Sequence, residues 1–222
     1  MNEALSFSPH SERLLELKAL ALLILRKYEE VIQVCEQSLD LAERNYCFAN
    51  NDNQICNEDS LESLGQFPVK LWRWRMCAKA HFYLGRLEEA LDLLLKYEEV
   101  NSAVEKYGKE SMESLTSFTA TIHDLLCHKA AGNKAFQEGK HAEAVEHYTA
   151  ALACNGESRP FTAVCFCNRA AASQALGHIV DAIADCSRAN ALDPHYPKVL
   201  ALCKKGTFQE ANRLMHKIIG KV

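Results

Sequence analysis

The feature of this sequence that most limits what it can fold into is that it repeats itself. Gly132, Gly139, Ala144, Tyr148 and Ala151 line up with Ala170, Gly177, Ala182, Cys186 and Ala189 at a constant offset of 38 residues. The spacings inside the two sets are the same, so the extra length falls in the linker "NGESRPF" between them. Ala78, Gly85, Ala90, Leu94 and Tyr97 fit the same template, and Ala19, Arg26, Val31, Cys35 and Ser38 fit it more weakly. A period of about 20 to 50 residues denotes an array of small supersecondary units that bury their apolar faces only against one another.

Each unit reads as a helical hairpin. Small residues at 132 and 144, and at 170 and 182, are expected where two helices cross closely, because a large side chain there would force them apart. Gly139 and Gly177 are expected to end the first helix of their hairpins in a left-handed conformation. Tyr148, and Leu94 in the earlier unit, are expected to fill the groove made with the next hairpin. Helices are therefore predicted near 10–25, 28–44, 69–84 and 87–104, then from about Met112 to Glu138, and at 141–154, 160–176 and 179–192. The corresponding segments are a divergent hairpin over 1–44, a polar loop over 45–67, a hairpin over 68–104 and a connector helix over 105–124. Two tandem hairpins over 125–196 and an atypical capping helix over 197–222 complete the chain.

Composition removes several functional classes. The run "LLELKALALLIL" carries Glu16 and Lys18 and is shorter than the roughly 20 apolar residues of a membrane helix, so it reads as a buried helix, with no membrane partner. The start lacks a basic region followed by an uninterrupted apolar stretch, so no secretory signal is expected, and the expected location is cytoplasmic or nuclear. Ten cysteines stand at irregular spacings, at helical positions such as Cys35, Cys77, Cys186 and Cys203, and read as buried thiols. Cys165 and Cys167 are too close in sequence for a zinc-finger pair, so no metal is expected. His128, His147 and His178 have no acid or nucleophile at a recognisable spacing, and no phosphate loop occurs. The chain is accordingly read as non-enzymatic and without cofactors. Trp72 and Trp74 read as packing residues.

Charge is uneven. Residues 1–124 hold 13 Lys+Arg against 21 Asp+Glu, while residues 125–222 hold 12 against 8, so an acidic ligand is better suited to the C-terminal part. With a net charge of −4 and no dense basic stripe, no nucleic-acid partner is expected. Stacked repeats create an extended concave surface, so residues that share a face of the first helix of each unit are the ones to compare. Lys129 and Asn133 stand one helical turn apart and share a face, which differs from that of Gly132 and Ala135. Asn168 lies on the equivalent helix of the next unit, and Lys198 begins the one after.

The stretches "WRMCAKAHFYLGRLEEALDLLLKY", "AAGNKAFQEGKHAEAVEHYTAAL" and "NRAAASQALGHIVDAIADCSRANALDP", with the unit-ending Asp193 and Pro194, resemble the tetratricopeptide-repeat family. The resemblance implies an all-α fold, a right-handed superhelical solenoid of antiparallel helical hairpins. "KAAGN", "NR" and "PK" are further similar to the carboxylate clamp of chaperone-binding members. That similarity implies peptide binding by Lys129, Asn133, Asn168 and Lys198. Leu202 stands where the clamp has an arginine, and Lys205 is expected to supply part of the missing charge. The implied partner is the acidic C-terminal tail, ending Glu-Glu-Val-Asp, of a heat-shock chaperone of the seventy- or ninety-kilodalton class. The alternative is an assembly scaffold that holds another protein segment, its clamp degenerate. The order of elements resembles the repeat region of the DnaJ homologue subfamily C member seven group of co-chaperones, plant members in particular. Those proteins carry a J domain with a His-Pro-Asp loop; no such triplet occurs here, so a shortened or differently ended relative without J-domain activity is expected.

Overall fold

The computed structural model describes residues 11–49, 72–103 and 109–194, and among these there are eight α-helices and no strand. In chain order they are α1 (Glu12–Ile24), α2 (Tyr28–Ala49), α3 (Trp72–Tyr83), α4 (Leu87–Ala103), α5 (Lys109–Gln137), α6 (His141–Cys154), α7 (Arg159–Ala175) and α8 (Ile179–Leu192). They form four hairpins: α1–α2, α3–α4, the C-terminal part of α5 with α6, and α7–α8. The chain divides into two compact units, Met1–Thr119 and Ala120–Val222, with the boundary inside α5.

All four hairpins turn in the same way. Arg26, Gly85, Gly139 and Gly177 have φ values of 58°, 79°, 77° and 81°. At each, the amide of the left-handed residue bonds the carbonyl three residues back, and the next amide bonds the carbonyl five residues back. Gly139 donates to Phe136 at 3.1 Å and Lys140 to Ala135 at 2.9 Å; Arg26 donates to Leu23 at 3.1 Å and Lys27 to Leu22 at 2.9 Å. This is the Schellman arrangement, which satisfies two helix-end carbonyls at one residue's conformational expense. The weakest of the four sequence matches, with arginine at the turn, thus folds like the others.

The remaining template positions form the core. Ala19, Val31, Cys35 and Ser38 in the first hairpin are at most 1% exposed, and their counterparts in the other three are all buried. In the first unit α1 packs on α2, α2 on α3 and α3 on α4, and α1 also meets α3. Ala19, Val31, Cys35, Trp72, Met76 and Ala80 make up its centre, so Trp72 is a packing residue as expected, while Trp74 is half-buried. Arg73, beside it, is 1% exposed; its Nε donates to Ser38 Oγ at 2.7 Å across the two hairpins. In the second unit α6 packs on α7 and α7 on α8. Asp185, 3% exposed, accepts a two-pronged bond from Arg169 at 2.7 and 2.9 Å and a further bond from Arg188 at 2.8 Å.

Several expectations are corrected. The helix expected to stop at 44 continues to Ala49, because no glycine or proline interrupts it before the Asn50–Asn51–Asp52 cluster; the rest of the polar loop lies outside the described residues. The connector and the first helix of the third hairpin are one continuous helix, as predicted, beginning at Lys109. The thiols are not uniformly buried: Cys35, Cys77, Cys165, Cys167 and Cys186 are, but Cys127 and Cys154 are exposed. Both lie outside the template, Cys127 five residues before Gly132 and Cys154 three residues after Ala151. The expected capping helix lies outside the described residues. No described helix is long and apolar enough to cross a membrane.

Two stability predictions follow from this architecture. A Cβ added at Gly139 meets no atom within 4 Å, so Gly139→Ala tests backbone conformation alone and should lower stability by about 1 kcal/mol, while Arg26→Gly should raise it by a similar amount. Urea unfolding monitored by helix content measures both. Asp185→Ala, which strands two guanidinium groups around an apolar site, should cost about 3 kcal/mol in the same assay.

Candidate functional site

A cavity of about 400 Å³ opens in the second unit, between α5 and α7. From α5 it is lined by Lys129, Asn133, Phe136 and Gln137, which recur at three- and four-residue intervals and so occupy one face of that helix. Val164, Asn168 and Ala171 line it from α7 with the same periodicity, and Tyr148 reaches it from α6. Three of the five residues singled out in the sequence, Lys129, Asn133 and Asn168, are thereby brought together. Lys198 and Lys205, with Leu202, lie outside the described residues.

The floor of the cavity is hydrogen-bonded. Tyr148 Oη donates to Asn133 Oδ1 at 2.8 Å, and Asn168 Nδ2 donates to the same oxygen at 3.3 Å. With its oxygen engaged twice, the Asn133 carboxamide has N–H to offer a ligand. Lys129 Nζ lies 5.5 Å from the centre of the Phe161 ring, within cation–π range. The groups presented are an ammonium and amide N–H donors, flanked by Phe136 and Val164. Such a lining suits an oxygen acceptor, above all a carboxylate on an extended segment with apolar side chains.

Tyr148 is the cavity residue whose part the sequence did not reveal. It is 2% exposed and sits under Gly132, where an added Cβ would lie 2.7 Å from the ring's Cε1. The small residue at 132 is therefore required by this ring on the other helix of the hairpin, in keeping with the expected close packing there, and Ala144 is fully buried in the same cluster. Tyr148 also clusters with Ala172 of the following hairpin, in keeping with the expected inter-hairpin packing. Its neighbour Thr149 accepts a bond from Arg169 Nη1 at 3.0 Å, so consecutive residues of α6 are tied to both walls, α5 through Asn133 and α7 through Arg169. Arg169, read in the sequence only as part of "NR", is committed to Asp185 and Thr149.

Burial sets the protonation of this floor. Desolvation pushes the Tyr148 hydroxyl up to about 12, with Cys165 adding to the shift, so the hydroxyl remains a neutral donor. The Cys165 thiol is likewise raised by burial to about 12, against the opposing pull of Lys129 and Arg169. In the first unit Cys35 and Cys77 are also pushed by burial to about 12.

Comparison with known proteins gives the following likenesses. No family model matches the chain. DnaJ homolog subfamily C member 7 of Homo sapiens is 29% identical over 225 residues, covering 98% of this chain and 38% of that protein. The Mus musculus protein of the same name is 38% identical over 99 residues, covering 42% and 20%. Hsp70-Hsp90 organizing protein 3 of Arabidopsis thaliana is 29% identical over 202 residues, covering 86% and 32%. A solved structure, the TPR2AB-domain:pHSP90-complex of yeast Sti1, aligns with 94% of this chain and 74% of its own at 17% identity and a TM-score of 0.36. The chain thus spans from a fifth to under two fifths of the length of these curated relatives.

One prediction concerns pH. A thiol or phenol whose folded pKa exceeds its unfolded value stabilises the fold below the unfolded pKa and loses that contribution as pH rises toward the folded one. Stability should therefore hold up to about pH 9 and fall between about 9 and 12, as Cys35, Cys77, Cys165 and Tyr148 ionise more readily in the unfolded chain. Urea midpoints across this range test it, and Cys165→Ala should make the decline shallower. With its four hairpins closed by the same turn and built on the same small-residue template, the chain is a set of repeated helical hairpins, and its sequence resembles that of DnaJ homolog subfamily C member 7.

Proposed function

We propose that the protein is a non-enzymatic adaptor, a co-chaperone whose cavity binds the acidic C-terminal tail of a heat-shock chaperone of the seventy- or ninety-kilodalton class. The observation that carries this reading is the convergence of Lys129, Asn133 and Asn168 on one cavity between two hairpins. An ammonium supplies charge, and two carboxamides supply directed N–H donors to the paired carboxylates of a C-terminal aspartate. Lys198 and Lys205 are proposed as further cations of the same site. The name of the Arabidopsis relative, an Hsp70-Hsp90 organizing protein, supports the chaperone as partner class.

Leu202 favours a second reading. It stands where the resemblance implies an arginine, which fits a scaffold that holds another protein segment with a degenerate clamp. Calorimetry separates the two. A peptide ending Glu-Glu-Val-Asp should bind as the free acid and much more weakly when amidated at its C-terminus. Lys129→Ala, which removes one charge-assisted hydrogen bond, should weaken the free acid about ten- to a hundredfold. Raised salt should weaken it as well. Equal affinity for acid and amide, or no binding of either, would exclude the chaperone-tail reading and leave the scaffold.

A further inference from the structure

The hairpins carry an internal control. The position of Tyr148 is held by Cys35, Leu94 and Cys186 in the other three, and all are buried, so an apolar or thiol side chain is enough to pack there. The position of Asn133 is held by Leu20, Lys79 and Ala171. A hydroxyl occurs at the first position only in the hairpin that has a carboxamide at the second. That same hairpin alone has glycine, rather than alanine, at the position of Gly132, where an added Cβ would strike the ring. Gly132, Asn133 and Tyr148 therefore work as a set: glycine admits the ring, the ring carries a hydroxyl under the amide, and the hydroxyl engages its oxygen.

The geometry points to Tyr148 as the positioning residue of this cavity, one that fixes the Asn133 carboxamide so that a bound segment meets N–H donors, which makes the site select a terminal carboxylate over the equal-sized carboxamide; this rests on the tail-binding reading above. Orientation follows from hydrogen-bond accounting. Among the described residues Asn133 is the hydrogen-bond partner of the Tyr148 hydroxyl. Were the carboxamide turned over, its Nδ2 would donate to Oη and the buried phenol proton would lose its acceptor, and Asn168 Nδ2 would face a second N–H across 3.3 Å. Both penalties disappear in the observed orientation. A terminal carboxylate accepts on both oxygens, whereas a terminal amide puts an N–H of its own against the donors of Asn133. Burial keeps the phenol protonated through neutral pH, so the arrangement does not titrate in the working range.

Tyr148→Phe removes the hydroxyl and keeps the ring against Gly132. In calorimetry on the full chain it should weaken the free-acid Glu-Glu-Val-Asp peptide about three- to tenfold and affect the amidated peptide less, narrowing the acid-to-amide ratio. NMR of the full chain with nitrogen-labelled asparagine reads the orientation without any ligand. The Asn133 side-chain amide should give a single sharp pair of Nδ2–H signals in the wild type, and that pair should shift and double or broaden in Tyr148→Phe. If the wild type binds but the variant keeps the same ratio, or weakens both peptides equally, the inference fails while the tail-binding reading stands. If the wild type binds neither peptide, that reading fails, and the NMR result alone decides whether Tyr148 holds the amide. An unchanged Asn133 signal in the variant overturns the inference in every case.

Discussion

Two helices of a hairpin approach each other only as closely as the side chains between them allow, and every other feature of this chain depends on how that gap is filled. In the third hairpin the gap at Gly132 is filled by the ring of Tyr148, at a separation that excludes even one methyl group. In the other three the corresponding residue is alanine and the filler is a thiol or a leucine. The packing rule is the same throughout, and small residues on one helix receive the side chain of the other. What differs is the chemistry of the filler, and only in the third hairpin does it carry a polar tip into a cavity.

That difference sets the third hairpin apart from the others along a regular array. Repetition supplies equivalent helix faces, but equivalent faces are not equivalent surfaces. The face that carries Lys129 and Asn133 on α5 carries Cys167 and Ala171 on α7. The polar groups of the cavity come from the first of these faces, from Tyr148 on α6 and from Asn168, one position along from Cys167, so two neighbouring hairpins both contribute. Asp185, which does not line the cavity, ties α8 to α7 through Arg169, and Asn168, the residue before that arginine, stands at the cavity wall.

Most of the fold could be read from the sequence because its signal is redundant. A turn glycine, two small residues and a filler recur at fixed spacing, and four copies identify Arg26 as a turn residue even though arginine rarely adopts positive φ. The overrun of α2 to Ala49 escaped because the template describes the start and crossing of helices and is silent on where a second helix ends. In the site, Lys129 and Asn133 were legible from helical phase, and Asn168 from its place in the next unit. The hydroxyl of Tyr148 was not, since the template files that position under packing. Nor was the pairing of Arg169 with Asp185, because a bond across 16 residues depends on the rotation of α7 against α8, which periodicity leaves open. The exposed Cys127 and Cys154 show the same limit from the other side: a residue's type did not reveal which face it occupied.

Tyr148 and Thr149 are neighbours on α6, yet one holds α5 and the other α7. A single rung of backbone thus spans behind both jaws of the cavity and acts as a spacer of fixed length, much as the beam of a caliper sets the opening in front of it. The separation of the two walls is thereby coupled to one stretch of α6. A substitution at Thr149, which does not line the cavity, would then shift the α7 wall while leaving Lys129, Asn133 and Asn168 themselves unchanged.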